Sequence, residues 1–157
     1  MMMWRLRNFA RDNAAATAVE FALIAPILCF LVVGAAWFAL AVFNYSSLTE
    51  GVRSGARQLA VSLNDSTPYT DAVAAVTSAA PSLTAPASQP CTNSATQLCI
   101  TMSVDGTACT TDSTCAAQMV GGKAASVTGT YPCTVVVMGH NFLPSCQLTS
   151  TAAEMIE

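Results

Sequence analysis

The chain has 157 residues, of which 53% are hydrophobic and only 10% are charged, and its formal net charge is −3. Only six lysines and arginines are present, which excludes the clustered basic surface of a nucleic-acid-binding protein. The sequence has one histidine and no Cys-x-x-Cys pair, so a metal site is disfavoured, and we expect no cofactor.

Residues 1–15 form a basic leader in which three arginines outweigh one aspartate. Segments of membrane proteins that stay in the cytoplasm carry an excess of Lys and Arg. The N-terminus is therefore predicted to be cytoplasmic, and the chain after Phe43 is predicted to be exported. The three arginines are Arg5, Arg7 and Arg11.

An apolar run at 21–43 contains no charged residue, and Glu20 stands at its edge. A helix that crosses a membrane needs about 20 such residues, so the run predicts a membrane-spanning helix. A cleaved signal peptide is the alternative, but its apolar region is shorter and ends at small residues, unlike the residues at 44–46. Pro26 is expected to kink the helix, and Cys29 is expected to have no chemistry.

The helix is predicted to continue beyond the membrane, over 17–63 in all. A stripe of apolar residues recurs at helical spacing in its second half. We expect this stripe to pack on the chain's own head domain, and contact with a neighbouring subunit is the alternative. The stripe comprises Tyr45, Leu48, Val52, Ala56, Leu59 and Leu63.

The first part of the head is predicted to contain a short helix and a strand. Thr67 and Pro68 form a helix start, because Pro suits the first helical position, and the helix is expected over 68–79. The proline-containing segment 81–90 indicates a linker. Apolar residues then alternate with polar ones over 98–104, which predicts a half-buried strand that ends at the turn Asp105-Gly106.

The second part of the head is predicted to be mostly β-structure. Residues 107–118 are expected to form a polar loop, and 121–123 a turn. The β-rich segments 126–131 and 134–138 flank Pro132, which suggests an edge or a bend. His140 and Asn141 are expected in a loop before a final strand at 147–156. Together these elements predict a small antiparallel sheet that lies against the long helix.

Six cysteines lie in the exported segment, and an even set in a small exported domain favours disulfides. Zinc is the competing interpretation, but the ligand spacing is poor. Proximity alone suggests short-range pairing, although the connectivity is open. The candidate residues are Cys91, Cys99, Cys109, Cys115, Cys133 and Cys146.

Three segments of the sequence resemble the TadE-like family of Flp/Tad pilus pseudopilins. They are 11–26, which contains Val19-Glu20-Phe21, then 48–57, with its Ala, Gly and Arg residues, and the closing segment 148–155. The resemblance implies a bitopic, pilin-like protein of the bacterial inner membrane, needed for pilus biogenesis. It also implies an α+β fold in which a long transmembrane helix leads into a disulfide-stapled antiparallel β-sheet head.

The resemblance also implies processing by a prepilin peptidase. Such enzymes leave Glu as the fifth residue of the mature chain, which places the cut between Ala15 and Ala16. Many family members have Gly before the cut, whereas this chain has Ala15. Cleavage would create an ammonium group that Glu20 of a neighbouring subunit can pair with, so Glu20 and Phe21 are candidate assembly residues. Alternatively, Glu20 reaches the lipid headgroups or caps the helix start.

These features divide the chain into three predicted segments. A cytoplasmic leader at 1–15 precedes a long helix at 16–63, whose transmembrane part is 21–43, and a periplasmic head at 64–157. The expected partners are membrane lipid, the prepilin peptidase, other Tad pilins or pseudopilins, and the inner-membrane pilus platform.

Two functions remain, and neither is enzymatic. The first is a minor pilin or pseudopilin that inserts into or primes a Tad fibre and contributes to adhesion. The alternative is a membrane-tethered, disulfide-rich periplasmic binding module outside any fibre. The sequence has no nucleophile elbow, HExxH motif or phosphate loop. We therefore expect no catalytic residues and no small-molecule substrate.

Overall fold

The computed structural model describes residues 13–84, 91, 97–133, 136–137, 140–141 and 143–157. The chain divides into two compact units, residues 1–40 and 41–157. The first unit contains the N-terminal part of one long helix. The second contains the remainder of that helix, two short helices and the β-strands. The fold is α+β, as the sequence predicted.

Helix α1, Asn13–Val61, is 49 residues long and continues through Pro26. It begins before residue 17, the predicted start, and ends before residue 63, the predicted end. Ala and Leu, both strong helix formers, recur along it. The chain turns soon after the helix, where Asn64 has a φ of +70°. Asn tolerates this left-handed conformation better than most residues, which favours a turn at this point.

Helix α2, Pro68–Ala79, has the bounds that the sequence predicted. It packs against α1 through two glycines of α1. A Cβ atom at Gly55 would lie 2.3 Å from Cγ2 of Val76, and one at Gly51 would lie 3.0 Å from Cβ of Ala80. Because the later glycine meets the earlier part of α2, the two helices run antiparallel. The small residues of α1 therefore admit the chain's own second helix.

Four strands form one antiparallel sheet in the order β2-β1-β3-β6. Strand β1 is Cys99–Val104, β2 is Thr107–Cys109, β3 is Ala124–Pro132 and β6 is Gln147–Met155. Asp105 and Gly106 join β1 to β2 with φ values of 52° and 77°. Two positive φ values in a two-residue connection match the twist of a hairpin, so the predicted turn is confirmed.

The prediction of a polar loop at 107–118 is wrong. This segment begins with β2 and continues into helix α3, Asp112–Ala116. Thr111 caps α3, because its Oγ1 accepts a hydrogen bond from the backbone N–H of Thr114, and the Thr114 side chain accepts one in return from the N–H of Thr111. Elements of three and five residues are too short to show a hydrophobic period, which is why the sequence did not predict them.

The segment before β6 also differs from the prediction. Val136–Val137, strand β4, pairs antiparallel with His140–Asn141, strand β5, so His140 and Asn141 lie in a short strand and not in a loop. The other residues of the predicted strand at 134–138 lie outside the described residues, as do 85–90 of the predicted linker. Gly122, with a φ of +85°, forms the predicted turn before β3.

Pro132 ends a central strand and does not mark an outer one. It pairs with Gln147 of β6, whereas the pairing of β3 with β1 stops at Thr130. Proline has no N–H to donate, and at this position the side of β3 that faces β1 has no partner strand among the described residues. The proline therefore costs the sheet no hydrogen bond.

The apolar stripe of α1 forms the core with one face of the sheet and with α2. Leu48, Val52, Ala56 and Leu59 are all fully buried. A Cβ atom at Gly129 would lie 2.7 Å from Val52 and 2.8 Å from Leu48, so the glycine of β3 lets α1 approach the sheet closely. The stripe thus packs on the chain's own head, as predicted, although Tyr45 is 48% exposed.

Strand β6 has one open edge. The N–H of Asp105 donates to the carbonyl of Ala124, which fixes the phase of the alternating bonds between β1 and β3. The pairing register of β3 with β6 then shows that the backbone N–H and C=O groups of the even-numbered β6 residues point toward β3, so those of the odd-numbered residues point away from it. The hydrogen bond from the Ile156 N–H to the Lys123 carbonyl agrees with this assignment, because residue 156 is even-numbered. Among the described residues, no strand pairs with the outward-facing backbone groups of Thr149, Thr151, Ala153 and Met155.

Three disulfides staple the second unit: Cys91–Cys99, Cys109–Cys115 and Cys133–Cys146. They join the cysteines that are neighbours in the sequence. Cys109 and Cys115 are buried in the core, where they tie β2 to α3. Cys29 is free and exposed on α1.

Candidate functional site

Within the described residues, only α1 is long and apolar enough to cross a membrane, by its length and composition. Its most apolar part is not buried inside the chain. The exposed fraction reaches 80% at Phe30 and 72% at Phe21 and Phe38. Isolated apolar residues on a protein surface are ordinary, but a surface of this extent requires lipid or another protein to cover it.

The apolar surface extends around the helix and does not form a stripe. Four successive residues, Phe30, Leu31, Val32 and Val33, are all exposed, and four successive residues on a helix point in four directions about 100° apart. A helix that is apolar all round is typical of a membrane span or of the centre of a helical assembly. The first unit therefore has the surface expected of a segment that is solvated by lipid or by neighbouring helices.

Glu20 is exposed within this helix and lies about two turns after Asn13. The first turn of α1 contains no acidic residue. Since the favourable field of a helix N-terminus fades within the first turn, Glu20 does not cap α1 in the uncut chain. The alternative that it caps the helix start is therefore wrong for the described form. The lipid headgroups and a neighbouring subunit are the other two predicted partners of its carboxylate.

Ala15 and Ala16 lie near the N-terminal end of the described part of α1, five and four residues before Glu20 respectively. A helix that started at Ala16 would place Glu20 one turn from its new end, since residues four apart share a helix face.

The predicted site residues fall into two groups. Ala15, Ala16, Glu20, Phe21 and Pro26 all lie on α1 in the first unit. The six cysteines lie in the second unit and form disulfides. In the part of the chain that the structure describes, no group of three or more His, Cys, Asp or Glu residues could hold a metal ion.

Asp112 is a structural residue that the sequence did not indicate. Its Oδ1 accepts a hydrogen bond from the Thr70 N–H at 2.8 Å, and its Oδ2 accepts one from the Thr70 hydroxyl at 2.7 Å. Thr67, at the N-cap position of α2, makes no capping bond with its side chain. A carboxylate from α3 therefore caps α2 in its place. No local pattern connects residues this far apart in the sequence.

Two pKa shifts follow from this cap. Partial burial alone would raise the pKa of Asp112, but hydrogen bonds from the Thr70 side chain and from the backbone N–H groups of Thr70 and Tyr69 outweigh it, so the pKa is lowered. Burial, and after it the negative charge of Asp112, raise the pKa of Tyr69. The Tyr69 hydroxyl is buried and has no hydrogen-bond partner among the described residues.

The described chain thus combines one candidate membrane span with an α+β head that carries three disulfides. Residues 15–57 match the model of the family described as TadE-like protein, which confirms the resemblance over those residues, whereas the closing segment 148–155 lies outside the match. This family is associated with the Tad pilus and is not known to be enzymatic, so the match indicates a Tad pilus-associated protein. No curated protein and no solved structure matches the chain.

Proposed function

We propose that the chain is a minor pilin or pseudopilin of a Tad pilus, which enters or primes the fibre through α1. The match at 15–57 to the TadE-like family carries the proposal, because the matched residues include Glu20 and the exposed apolar part of α1. An apolar helix with a single acid near its start is suited to packing against similar helices. The head, once carried into a fibre, is available for adhesion.

In this proposal the chain has the three segments expected from the sequence: a leader at 1–15, the helix at 16–63 and the head at 64–157. The leader stays in the cytoplasm, α1 crosses the inner membrane and the head lies in the periplasm. Three disulfides support this orientation, because disulfides persist in oxidising compartments such as the periplasm. Single cysteine substitutions at residue 3 and at residue 157, labelled with a thiol reagent that does not cross membranes, test the orientation.

Prepilin peptidase removes the leader between Ala15 and Ala16, and the new ammonium group of one subunit pairs with Glu20 of its neighbour. A charge at the bilayer centre costs about 2.5–3.5 kcal/mol on insertion scales, and less near the interface. Pairing reduces this cost only when the two helices have the correct axial offset. Glu20 thereby selects the register, while Phe21 packs beside it and Pro26 bends the helix.

Mass spectrometry of the mature N-terminus tests the processing step. The proposal requires a chain that begins at Ala16, and an intact Met1 in membranes that contain active peptidase would contradict it. Ala15→Lys, which places a large charged side chain at the cut, should retain the leader. Ala14→Lys serves as the matched control, because it adds the same charge one residue away.

Glu20→Gln tests the register step, since it removes the charge and keeps the size. We expect incorporation into sheared pili to fall about tenfold, which corresponds to about 1.4 kcal/mol per subunit contact. Asp105→Asn, which removes an exposed acid in the β1–β2 turn, is the matched control and should leave incorporation unchanged. Normal piliation and normal copurification with other Tad pilins in the Glu20→Gln strain would contradict the role of this carboxylate.

A further inference from the structure

A polar groove lies between the C-terminal part of α1 and the end of α2. Its volume is about 600 Å³, and α1 supplies most of its wall. Arg53 and Arg57, four residues apart, share one face of the helix and give the groove an excess of positive charge. The lining residues are Glu50, Arg53, Ser54, Arg57, Gln58, Val61 and Ala79.

The two arginines are incompletely paired. Arg53 lies 3.7 Å from Glu50, and both side chains are more than half exposed, so their ion pair is weak. Arg57 makes no ion pair with any of the described residues. It also borders a smaller groove of about 160 Å³ with Glu154 and Glu157, and neither carboxylate forms an ion pair with it. The groove therefore has guanidinium groups available for a carboxylate.

The same head carries a pair of acids at the other end of α2. The Thr67 hydroxyl donates to Oδ2 of Asp71 at 2.9 Å, and the Thr67 N–H donates to Oδ1 of Asp65 at 3.2 Å. Thr67 thus holds the two carboxylates near each other. Neither acid forms an ion pair within the part of the chain that the structure describes.

We propose that the arginine groove of one copy binds the Asp65 and Asp71 carboxylates of a second copy. Arginine binds carboxylates through two parallel hydrogen bonds, so two arginines one turn apart match two acids held side by side. Since both complementary surfaces are on this chain, the partner that the charges fit is another copy. This proposal rests on the proposed function, because assembly through α1 is what brings subunits together.

The positions of the two surfaces determine the kind of assembly. Asp71 and Ala79 are eight residues apart on α2, or about 12 Å along its axis. The groove and the acids are different surfaces, so each contact leaves a free groove at one end and free acids at the other. Contacts of this head-to-tail type continue into open chains unless the rotation closes a ring. A copy displaced along α2 by about that distance is the expected neighbour.

Photo-crosslinking from the groove identifies the partner directly. Ala79 is exposed and lines the groove, so a photo-crosslinking phenylalanine analogue at this position keeps both arginines. Full-length copies with the analogue are expressed in the same membranes as isotope-labelled copies without it. We expect crosslinks to the labelled peptide that contains Asp65 and Asp71. Crosslinks to lipid, crosslinks to a different protein, or no crosslink between copies would each overturn the proposal.

Charge exchange tests the chemistry of the contact. Arg53→Glu with Arg57→Glu in all copies should lower the crosslink yield about three- to tenfold, as two exposed ion pairs contribute roughly 0.2–1 kcal/mol each. Asp65→Asn with Asp71→Asn should do the same, and asparagine can still accept the hydrogen bonds from Thr67. Lys123→Glu, a charge reversal away from the groove, is the matched control and should leave the yield unchanged.

Mixed expression adds a test of complementarity. A copy with Arg53→Glu and Arg57→Glu, in which Ala79 carries the analogue, is combined with a labelled copy with Asp65→Lys and Asp71→Lys. We expect the crosslink between them to recover to within about twofold of wild type, because both charges are reversed. Failure to recover, with both variants resistant to protease as folded proteins are, would overturn the contact.

The two proposals fail in different ways. If the leader is retained and the chain is absent from sheared pili while the groove crosslink forms, the proposed function is wrong and the contact stands. If the chain is processed and enters pili normally while both charge variants crosslink like wild type, the contact is wrong and the proposed function stands.

Discussion

Asp112 and Thr70, which are 42 residues apart in the sequence, join α3 to the start of α2 through two hydrogen bonds from Thr70 to one carboxylate. A negative charge at a helix N-terminus is favourable because the first N–H groups carry a partial positive charge. The neighbouring disulfide Cys109–Cys115 fixes α3 to β2. The capping carboxylate is therefore held in place by a covalent link to the sheet, and α2 depends on it.

Replacing Asp112 with Asn should destabilise the head. The variant keeps the size of the side chain but loses the charge that assists both hydrogen bonds. We expect the free energy of unfolding to fall by about 0.5–1 kcal/mol, measured by chemical denaturation of the full chain in detergent. Asp105→Asn removes the same charge in the β1–β2 turn, where Asn tolerates positive φ, and should have little effect. Equal losses in the two variants would contradict the capping role.

Acid should remove the contribution of Asp112. Its pKa is lower in the folded chain than in the unfolded chain. Ionised Asp112 therefore stabilises the fold above the unfolded-state pKa of about 4, and the contribution disappears as the pH falls through the folded-state pKa. The difference in unfolding free energy between wild type and Asp112→Asn should be constant near neutral pH and should shrink in acid. A difference in unfolding free energy that grows in acid would show that the pKa of Asp112 is raised on folding and not lowered.

Tyr69→Phe should be tolerated at neutral pH. The Tyr69 hydroxyl is buried without a hydrogen-bond partner among the described residues, so its removal relieves an uncompensated polar group. We expect the unfolding free energy to stay the same or to rise by up to about 1 kcal/mol. Tyr45→Phe, at a half-exposed position on α1, is the matched control and should change little.

The same variant should alter the response to alkali. The pKa of Tyr69 is raised in the folded chain, so its contribution to stability is present below the unfolded-state pKa of about 10 and is lost as the pH rises further. Wild type should therefore lose stability above about pH 10 more steeply than Tyr69→Phe does. Parallel denaturation curves for the two proteins at high pH would count against this assignment.

Gly55→Ala should destabilise the packing of α1 on α2. The added Cβ would lie 2.3 Å from Cγ2 of Val76, so the two helices must separate. Overpacking costs about 1–3 kcal/mol and exceeds the gain of up to about 1 kcal/mol from helix propensity. Gly34→Ala changes the same helix where the new Cβ meets no atom within 4 Å, and it should not destabilise. Val76→Ala combined with Gly55→Ala should recover part of the loss.

Reduction should open the Cys133–Cys146 disulfide before the Cys109–Cys115 disulfide. Cys109 and Cys115 are buried, whereas Cys133 and Cys146 are each partly exposed. A reductant must reach a sulfur atom, so access controls the rate. Under mild reduction, alkylation followed by peptide mass mapping should label Cys133 and Cys146 before Cys109 and Cys115. Simultaneous labelling of all of them in native conditions would show that the head unfolds before it is reduced.

Local patterns predicted those parts of the fold that local physics decides. Pro68 at a first helical position predicted α2, the alternation over 98–104 predicted β1, and Asp105-Gly106 predicted the hairpin turn. The apolar stripe of α1 identified the face that packs on the head. Each of these signals lies within a few residues of the feature that it produces.

Features that depend on contacts between distant segments could not be predicted from local sequence patterns. Elements as short as β2 and α3 have no measurable period, so 107–118 resembled a loop. The cap by Asp112 and the fit of Gly129 beneath Leu48 and Val52 depend on how distant segments meet. At the candidate site, the sequence indicated the apolar helix and Glu20 but could not show the arginine groove, which exists only where α1 meets the end of α2.

The side of β6 with which no strand of the described residues pairs has a practical consequence for biochemistry on the isolated molecule. Its outward N–H and C=O groups alternate along a run of Thr and Ala with no lysine or proline to deter a foreign strand. Concentrated samples are therefore prone to precipitate through intermolecular ladders unrelated to any fibre, and an added lysine at Thr151 is the most direct way to keep them in solution.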